Sequence, residues 1–145
     1  MTVEATLALI RRQVAAYNAH DLTSLATMYA PEFRRNGEVI GVDGYLRGVV
    51  ALHSAFPDLV VTVADQVATD DTVWSRLLHH ATHQGDYHSP VLGRVAPTGR
   101  PVFWSGIALY RVAAGRFTEL WANGDEPGIL RCLGALPTRH ASSDS

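Results

Sequence analysis

The chain has one cysteine, no lysine and no long apolar run, and each of these features excludes a class of protein. The single Cys132 excludes an intramolecular disulfide and any multi-cysteine metal cluster. All 12 basic residues are arginines, and the 14 acidic residues leave a net charge of −2, without the positive excess of nucleic-acid-binding proteins. No apolar run approaches the ~18 residues of a membrane span. We therefore expect neither a nucleic-acid nor a membrane partner.

The N-terminus also lacks the basic-then-apolar order of a signal peptide, since Glu4 comes early, and this favours a cytoplasmic protein. The 145 residues are 47% hydrophobic and 18% charged, which is typical of a globular chain with a packed core. The sequence predicts one domain over residues 1–136 and a polar tail over residues 137–145.

Hydrophobic spacing predicts helices in the first part of the chain and strands in the second. The predicted helices run over Val3–Tyr17, from an Asp21 cap through Tyr29 to a stop at Pro31, and from Asp43 to Phe56. A short strand or hairpin is expected over Phe33–Ile40. The remaining expected elements are a strand from Leu59, a strand over Thr72–His83, a loop over Gly85–Gly99, a hairpin of Arg100–Val112 with Arg116–Asn123, and a last helix from Asp125 to about Gly134. This order predicts an α+β fold with helices on one face of a curved, mostly antiparallel sheet.

Five strings in this framework point to a family. They are Phe56-Pro57-Asp58-Leu59, Thr82-His83-Gln84-Gly85, Pro97-Thr98-Gly99-Arg100, Trp121-Ala122-Asn123-Gly124-Asp125 and Leu133-Gly134-Ala135-Leu136. In this order and spacing they resemble the SnoaL-like polyketide cyclases of the nuclear-transport-factor-like superfamily, over nearly the whole chain. The resemblance implies a cone-shaped α+β barrel around a deep pocket. It also implies a homodimer or higher oligomer, with the outer face of the sheet as the interface.

The same resemblance implies a reaction. Family members close a polyketide ring by intramolecular aldol condensation without a metal or organic cofactor, and an aspartate serves as the general acid and base. By its position after the tryptophan of the last strand, Asp125 matches that residue. We expect a small hydrophobic molecule as the substrate.

Strand alternation is consistent with this role for Asp125. It places Phe117, Glu119, Trp121, Asn123 and Asp125 on one face of the last strand, where apolar burial would raise the pKa of a carboxyl group. An aspartate before Glu-Pro is equally typical of a helix N-cap, so this structural interpretation stays open.

His83 is the second catalytic candidate, because its imidazole could polarise a carbonyl group. A strand-end histidine bonded to nearby backbone is the alternative. His79 shares the strand face of His83, whereas His80 points away, and no His-Glu-x-x-His string accompanies them. We therefore expect no metal site.

Aromatic and polar residues from several elements are expected to bind the substrate. Asn36 could equally serve the turn before Gly37, and its neighbour Arg35 is a further polar candidate. The loop over Tyr87–Ala96, with His88, could close over a ligand. The predicted substrate-binding residues are Trp104, Tyr110, Trp121, Tyr45, His53, Asn36 and Tyr17.

Two other functions remain open from the sequence alone. The same pocket could open an epoxide, as an ether-forming cyclase or a hydrolase, with acidic and polar side chains sharing the proton transfers. The domain could also bind a ligand or dimerise without catalysis, because fold alone does not determine function.

Overall fold

The computed structural model of the protein describes residues 2–136, so the predicted tail over residues 137–145 lies outside the described part of the chain. Four helices and eight strands follow one another. They are α1 (Val3–Asn18), α2 (Leu22–Ala26), β1 (Tyr29–Arg35), β2 (Glu38–Val39), α3 (Gly41–Ala55), β3 (Val60–Ala68), β4 (Thr72–Thr82), β5 (Tyr87–Ser89), β6 (Gly93–Val95), β7 (Pro101–Ala113), β8 (Arg116–Gly124) and α4 (Glu126–Cys132).

Side-chain caps define where three of the helices begin. The Thr2 hydroxyl accepts from the Ala5 amide before α1, and the Asp21 carboxylate accepts from the Ser24 amide before α2. The Asp125 carboxylate does the same for the Gly128 amide before α4. Each cap satisfies an amide hydrogen that the first helical turn leaves unpaired.

Two of the predicted elements differ from the structure. Helix α2 ends at Ala26 instead of reaching Tyr29, and Pro31 lies inside β1. Strand β1 pairs with β8 at Tyr29 and again from Arg34 onward, with an irregularity between these two residues. Pro31 lies in the unpaired stretch, so its missing amide hydrogen costs no hydrogen bond between the strands. The expected loop over Gly85–Gly99 contains the small β5–β6 hairpin.

Six strands form one curved mixed sheet in the order β2-β1-β8-β7-β4-β3. All neighbours are antiparallel except β1 and β8, which run parallel. Helices α1 and α3 pack against the sheet, and the sheet stays open between β2 and β3. The α+β fold class and the cone-shaped barrel are thus confirmed.

The hydrophobic core divides into two clusters that share Tyr17 at their border. One contains Leu9, Phe33 and Phe117 between the helices and the β1–β8 side of the sheet. The other contains Phe56, Trp104 and the apolar side chains of α4. Residues of both clusters take part in the wall of the cavity described below.

Apolar side chains lie in a row across four strands on the outer face of the sheet, and three of the four are exposed. Val67, Trp74, Leu109 and Trp121 lie in register from β3 to β8. Val67, Trp74 and Trp121 are 69%, 52% and 47% exposed, so a broad apolar patch faces outward. Among residues 2–136, no helix is long and apolar enough to cross a membrane.

Candidate active site

A cavity of about 210 Å³ lies between helices α1 and α3 and the inner face of the sheet. Small residues on adjacent strands leave this space. Gly106 of β7 is paired with Gly124 of β8, and Ala108 is paired with Ala122. All four line the cavity, and larger side chains at these rungs would project into it. The cavity is therefore built into the β7–β8 hairpin.

Hydroxyl groups cluster at one end of this cavity around a buried glutamine. Gln13 of α1 donates hydrogen bonds to the phenolic oxygens of Tyr29 (3.2 Å) and Tyr45 (3.1 Å). Tyr45, Tyr110 and Tyr17 line the cavity as predicted. Burial raises the pKa of all three phenols, so they stay protonated and can donate a hydrogen bond to a ligand oxygen.

His79 of β4 lines the same cavity beside Trp104, which was also predicted to do so. The two rings are parallel, with an interplanar angle of 3° and centroids 4.5 Å apart. The Nδ1 atom lies 3.3 Å from the Trp104 carbonyl oxygen. Because a carbonyl oxygen only accepts, Nδ1 carries the proton, and the Nε2 lone pair is free to act as a base.

The electrostatic surroundings keep His79 neutral. Its pKa is lowered to about 4, chiefly by burial; the bond to the Trp104 carbonyl opposes this effect, and the charge of His80 adds to it. An imidazole with this pKa is unprotonated throughout the neutral range, so the Nε2 lone pair is not blocked by a proton.

Arg35, at the end of β1, supplies a positive charge to the cavity wall. It lies on the same strand face as the buried Phe33, but its own side chain is exposed, so it occupies the cavity mouth. Its charge favours the ionised forms of Tyr17, Tyr45 and Tyr110 and thereby opposes the effect of burial on their pKa. Within residues 2–136, no carboxylate lies within 4 Å of its guanidinium.

Asp125 does not lie among aromatic walls, so its predicted placement is wrong. Its side chain is exposed and accepts the Gly128 amide hydrogen at 3.0 Å as the N-cap of α4. The preceding Asn123 and Gly124 line the cavity, whereas Asp125 does not. The carboxylate thus takes the helix-capping role that the sequence left open.

Trp121 is likewise displaced from its predicted position, because a β-bulge interrupts the alternation of β8. Arg111 pairs with Glu119 and Val112 pairs with Phe117, which leaves Thr118 as an extra residue. Beyond the bulge the inner face carries Leu120 and Ala122. The Trp121 side chain therefore points outward, away from the cavity.

His83 is fully buried but lies outside the cavity wall. Its Nδ1 accepts the Thr98 amide hydrogen at 3.1 Å and lies 2.9 Å from the Thr98 hydroxyl oxygen. Its backbone bonds to Gly99 and Arg100 as well. Burial lowers the pKa of His83, so this neutral ring joins the end of β4 to the start of β7. The structure therefore does not place His83 at the cavity where it was predicted to act.

His53 and Asn36 also lie outside the cavity wall. His53 packs edge-on against Tyr17, with centroids 4.7 Å apart, and stacks on His20 at 3.9 Å. It therefore supports the wall from behind. Asn36 adopts a positive φ of 48° in the turn after β1, and its side-chain oxygen accepts the Ala122 amide hydrogen at 3.0 Å. The turn interpretation of Asn36 is the one observed.

The β5–β6 hairpin does not contribute to the cavity wall either. Glu126 of α4 accepts hydrogen bonds from the Tyr87 hydroxyl and, at 2.7 Å, from the Ser89 hydroxyl. The hairpin is therefore fixed to the start of α4. His88 is exposed on it.

Among the described residues that line the cavity there is no aspartate or glutamate. Of the described lining residues, His79 is the one whose side chain offers an unprotonated ring nitrogen as a base. The sequence placed His79 on the same strand face as His83 but gave it no functional role. That role depends on a cavity next to β4, and the cavity exists because the facing residues of β7 and β8 are small. Over residues 2–136, no group of three or more potential metal ligands is found.

Comparisons with known proteins agree with this architecture. A model of the SnoaL-like polyketide cyclase family matches residues 8–133. AclR from Streptomyces galilaeus, provisionally assigned as a hydroxylase, is 29% identical over 94% of this chain and 100% of its own, with a TM-score of 0.80. TsrD from Streptomyces laurentii is 26% identical over 94% and 99%, also with 0.80. IdmH from Streptomyces antibioticus, provisionally assigned as a polyketide cyclase, is 30% identical over 87% and 96%, with 0.72. No curated protein matches the chain.

Proposed function

Because the chain belongs to the SnoaL-like polyketide cyclase family, we propose that it closes a ring in a polyketide or related natural-product intermediate by acid–base catalysis, with no cofactor. The observation that carries this proposal is the neutral His79 in the wall of a cavity without carboxylates. The reaction is an intramolecular aldol addition, which moves a proton and forms one C–C bond.

His79 takes the role of the general base in this reaction. Its Nε2 removes a proton from a carbon activated by neighbouring carbonyl groups, and the resulting carbanion attacks a second carbonyl carbon of the same molecule. The Nδ1 bond to the Trp104 carbonyl fixes the tautomer, and stacking on the Trp104 ring fixes the orientation of the imidazole. A base held in one tautomer and one orientation contributes about 10²–10⁴-fold to the rate.

The phenol groups complete the proton transfers. The new alkoxide oxygen needs a hydrogen-bond donor and then a proton, and Tyr45 and Tyr110 present O–H groups to the cavity. The phenols stabilise the alkoxide by hydrogen bonds, and the proton that His79 Nε2 took from carbon passes to the alkoxide, directly or through a phenol that is reprotonated by His79. The enzyme is thus regenerated, and substrate and product have the same atoms. The apolar walls hold the two reacting carbons close together, which lowers the entropic cost of ring closure.

Epoxide opening is a second candidate, favoured by the three phenols in the cavity wall. A phenol could donate to the epoxide oxygen while His79 deprotonates an internal hydroxyl, which would yield a cyclic ether of the same mass. This reaction uses the same base but breaks no C–H bond.

Deuterium labelling separates the two reactions. We would incubate the protein in D₂O with an aromatic polyketone that carries a pendent ketone, and separately with a matched hydroxy-epoxide, and follow the products by mass spectrometry. The aldol function predicts ring closure of the ketone, with deuterium uptake at the activated carbon that is faster than without enzyme. His79→Gln should abolish both effects. His80→Gln, which alters the adjacent outward-facing ring, is the matched control.

Turnover of the epoxide alone would replace the aldol mechanism by epoxide opening. If both substrates bind to the cavity and neither reacts, the protein is a ligand-binding module and the catalytic proposal is wrong.

A further inference from the structure

The guanidinium of Arg35 has no hydrogen-bond acceptor from the described part of the chain. Its five N–H donors form a planar fork that matches two oxygens at once. The three ion pairs within residues 2–136 involve other arginines, namely Arg76, Arg94 and Arg111. Arg35 therefore differs from them in facing a cavity with its donors unused.

The surroundings of Arg35 leave space for a ligand group. Gly48 lies opposite on α3, and a Cβ added there would come within 4.0 Å of the Arg35 Nη1 atom. A glycine inside a helix is less stable than alanine, and Gly48 does not have the positive φ that would require it. The open space beside the guanidinium is thus one effect of this glycine.

The charge of the cavity also favours an anionic ligand group. Of the described lining residues, Arg35 is the one with a permanent charge, and no acidic side chain balances it. The other polar groups are neutral: phenols, the amides of Gln13 and Asn123, a hydroxyl and the unprotonated His79. With a neutral ligand the Arg35 guanidinium would stay hydrated, whereas the two oxygens of a carboxylate would accept charge-assisted hydrogen bonds from it.

We propose that the substrate carries a carboxylate, which Arg35 binds at the mouth of the cavity while the apolar part of the molecule enters between Trp104 and the helices. This inference rests on the proposed function for the ring-closing role of the cavity. It adds the substrate class: an aromatic or polyketide acid instead of its ester or amide.

The carboxylate would also set the direction of binding. With the acid group held at β1, the far end of the ligand extends toward β4, where His79 lies. The chain between the carboxylate and the activated carbon would then decide which C–H bond meets the base. Arg35 is in this sense a substrate-binding residue that selects the site of reaction.

Two near-isosteric probes test the inference without turnover. We would measure the Kd of 2-naphthoate and of methyl 2-naphthoate by isothermal titration calorimetry on wild-type protein. A charge-assisted pair predicts that the acid binds about tenfold or more tightly than the ester. Arg35→Gln should remove this preference with little change in ester affinity, and Arg35→Lys should keep part of it.

Arg34→Gln is the matched control, because Arg34 is the adjacent exposed arginine of β1 and does not line the cavity. The acid-to-ester ratio should stay unchanged in this variant and should fall in 0.5 M NaCl for the wild type. Equal affinity for the two probes in the wild type, no binding of either probe, or an unchanged ratio in Arg35→Gln would overturn the inference.

The outcome is independent of the ring-closing assay. An Arg35-dependent acid preference without ring closure would leave the carboxylate site standing and remove the catalytic function. Ring closure of esters and acids at equal kcat/KM, with no effect of Arg35→Gln, would do the reverse.

Discussion

The protonation of His79 provides a quantitative prediction that needs no substrate. Burial and the neighbouring His80 lower its pKa to about 4, against about 6.5 for an exposed histidine. At pH 5 the imidazole should therefore be about 90% neutral, whereas a histidine with the ordinary pKa would be about 3% neutral. The Trp104 carbonyl, which accepts from Nδ1, is the group that limits the shift.

The assay is an NMR titration of protein with ¹⁵N-labelled histidine between pH 8 and pH 3.5. His79→Gln assigns the signal. The expected result is an Nδ1–H tautomer at pH 7 and a midpoint near pH 4. A midpoint above pH 6, or an Nε2–H tautomer at neutral pH, would refute the proposed state of the base.

The same shift has a consequence for stability. The unfolded chain binds a proton at His79 below about pH 6.5, whereas the folded chain binds it only below about pH 4. Protonation therefore favours the unfolded state, and stability should fall as the pH drops through this window. The contribution of His79 is about 3 kcal/mol at most, from 1.36 kcal/mol per pKa unit. Urea unfolding of His79→Gln should show a flatter pH dependence, and identical profiles for the two proteins would contradict the shift.

Three further variants test other parts of the structure. Ala122→Leu should fill the cavity and weaken the binding of 2-naphthoate at least tenfold, whereas the control Ala113→Leu, at the exposed end of β7, should leave binding unchanged. If calorimetry gives both variants the same Kd for 2-naphthoate, this cavity is not the binding site. Glu126→Gln should destabilise the fold by about 1.5–3 kcal/mol in urea unfolding, because two hydroxyl groups lose a charged acceptor, and an unchanged midpoint would show that the hairpin is held otherwise. If the outer face of the sheet forms the proposed homo-oligomer, Trp74→Glu should yield a monomer in sedimentation velocity, with Val50→Glu as the control; a wild-type monomer would remove that proposal.

The sequence predicted the elements whose pattern is local. The apolar spacing of α1 and α3 and the Ala113-Ala114-Gly115 turn between β7 and β8 led to elements that the structure contains. The end of α2 was misplaced because Pro31 was interpreted as a helix stop, and only the pairing of β1 with β8 shows that a strand can hold it.

The candidate site was harder to predict, since it depends on pairing between distant strands. The inward and outward alternation predicted for β8 holds at Phe117 but is reversed beyond the bulge at Thr118, so Trp121 lies on the outer face of the sheet. Asp125 fits both the sequence pattern of the family's catalytic aspartate and that of a helix N-cap. Only its position in the folded chain shows that it caps α4. His79 was placed on the correct face, but its importance depends on a cavity opened by residues on two other strands.

We propose that the reaction takes place at His79 and not at Asp125, and paired kinetics of two variants test this assignment most directly. Asn is as good an N-cap as Asp, so Asp125→Asn removes the charge and preserves the start of α4. We predict that kcat/KM for ring closure falls by about 10²–10⁴ in His79→Gln and stays within about twofold of wild type in Asp125→Asn. Full activity of His79→Gln, together with loss of activity in Asp125→Asn, would contradict the claim.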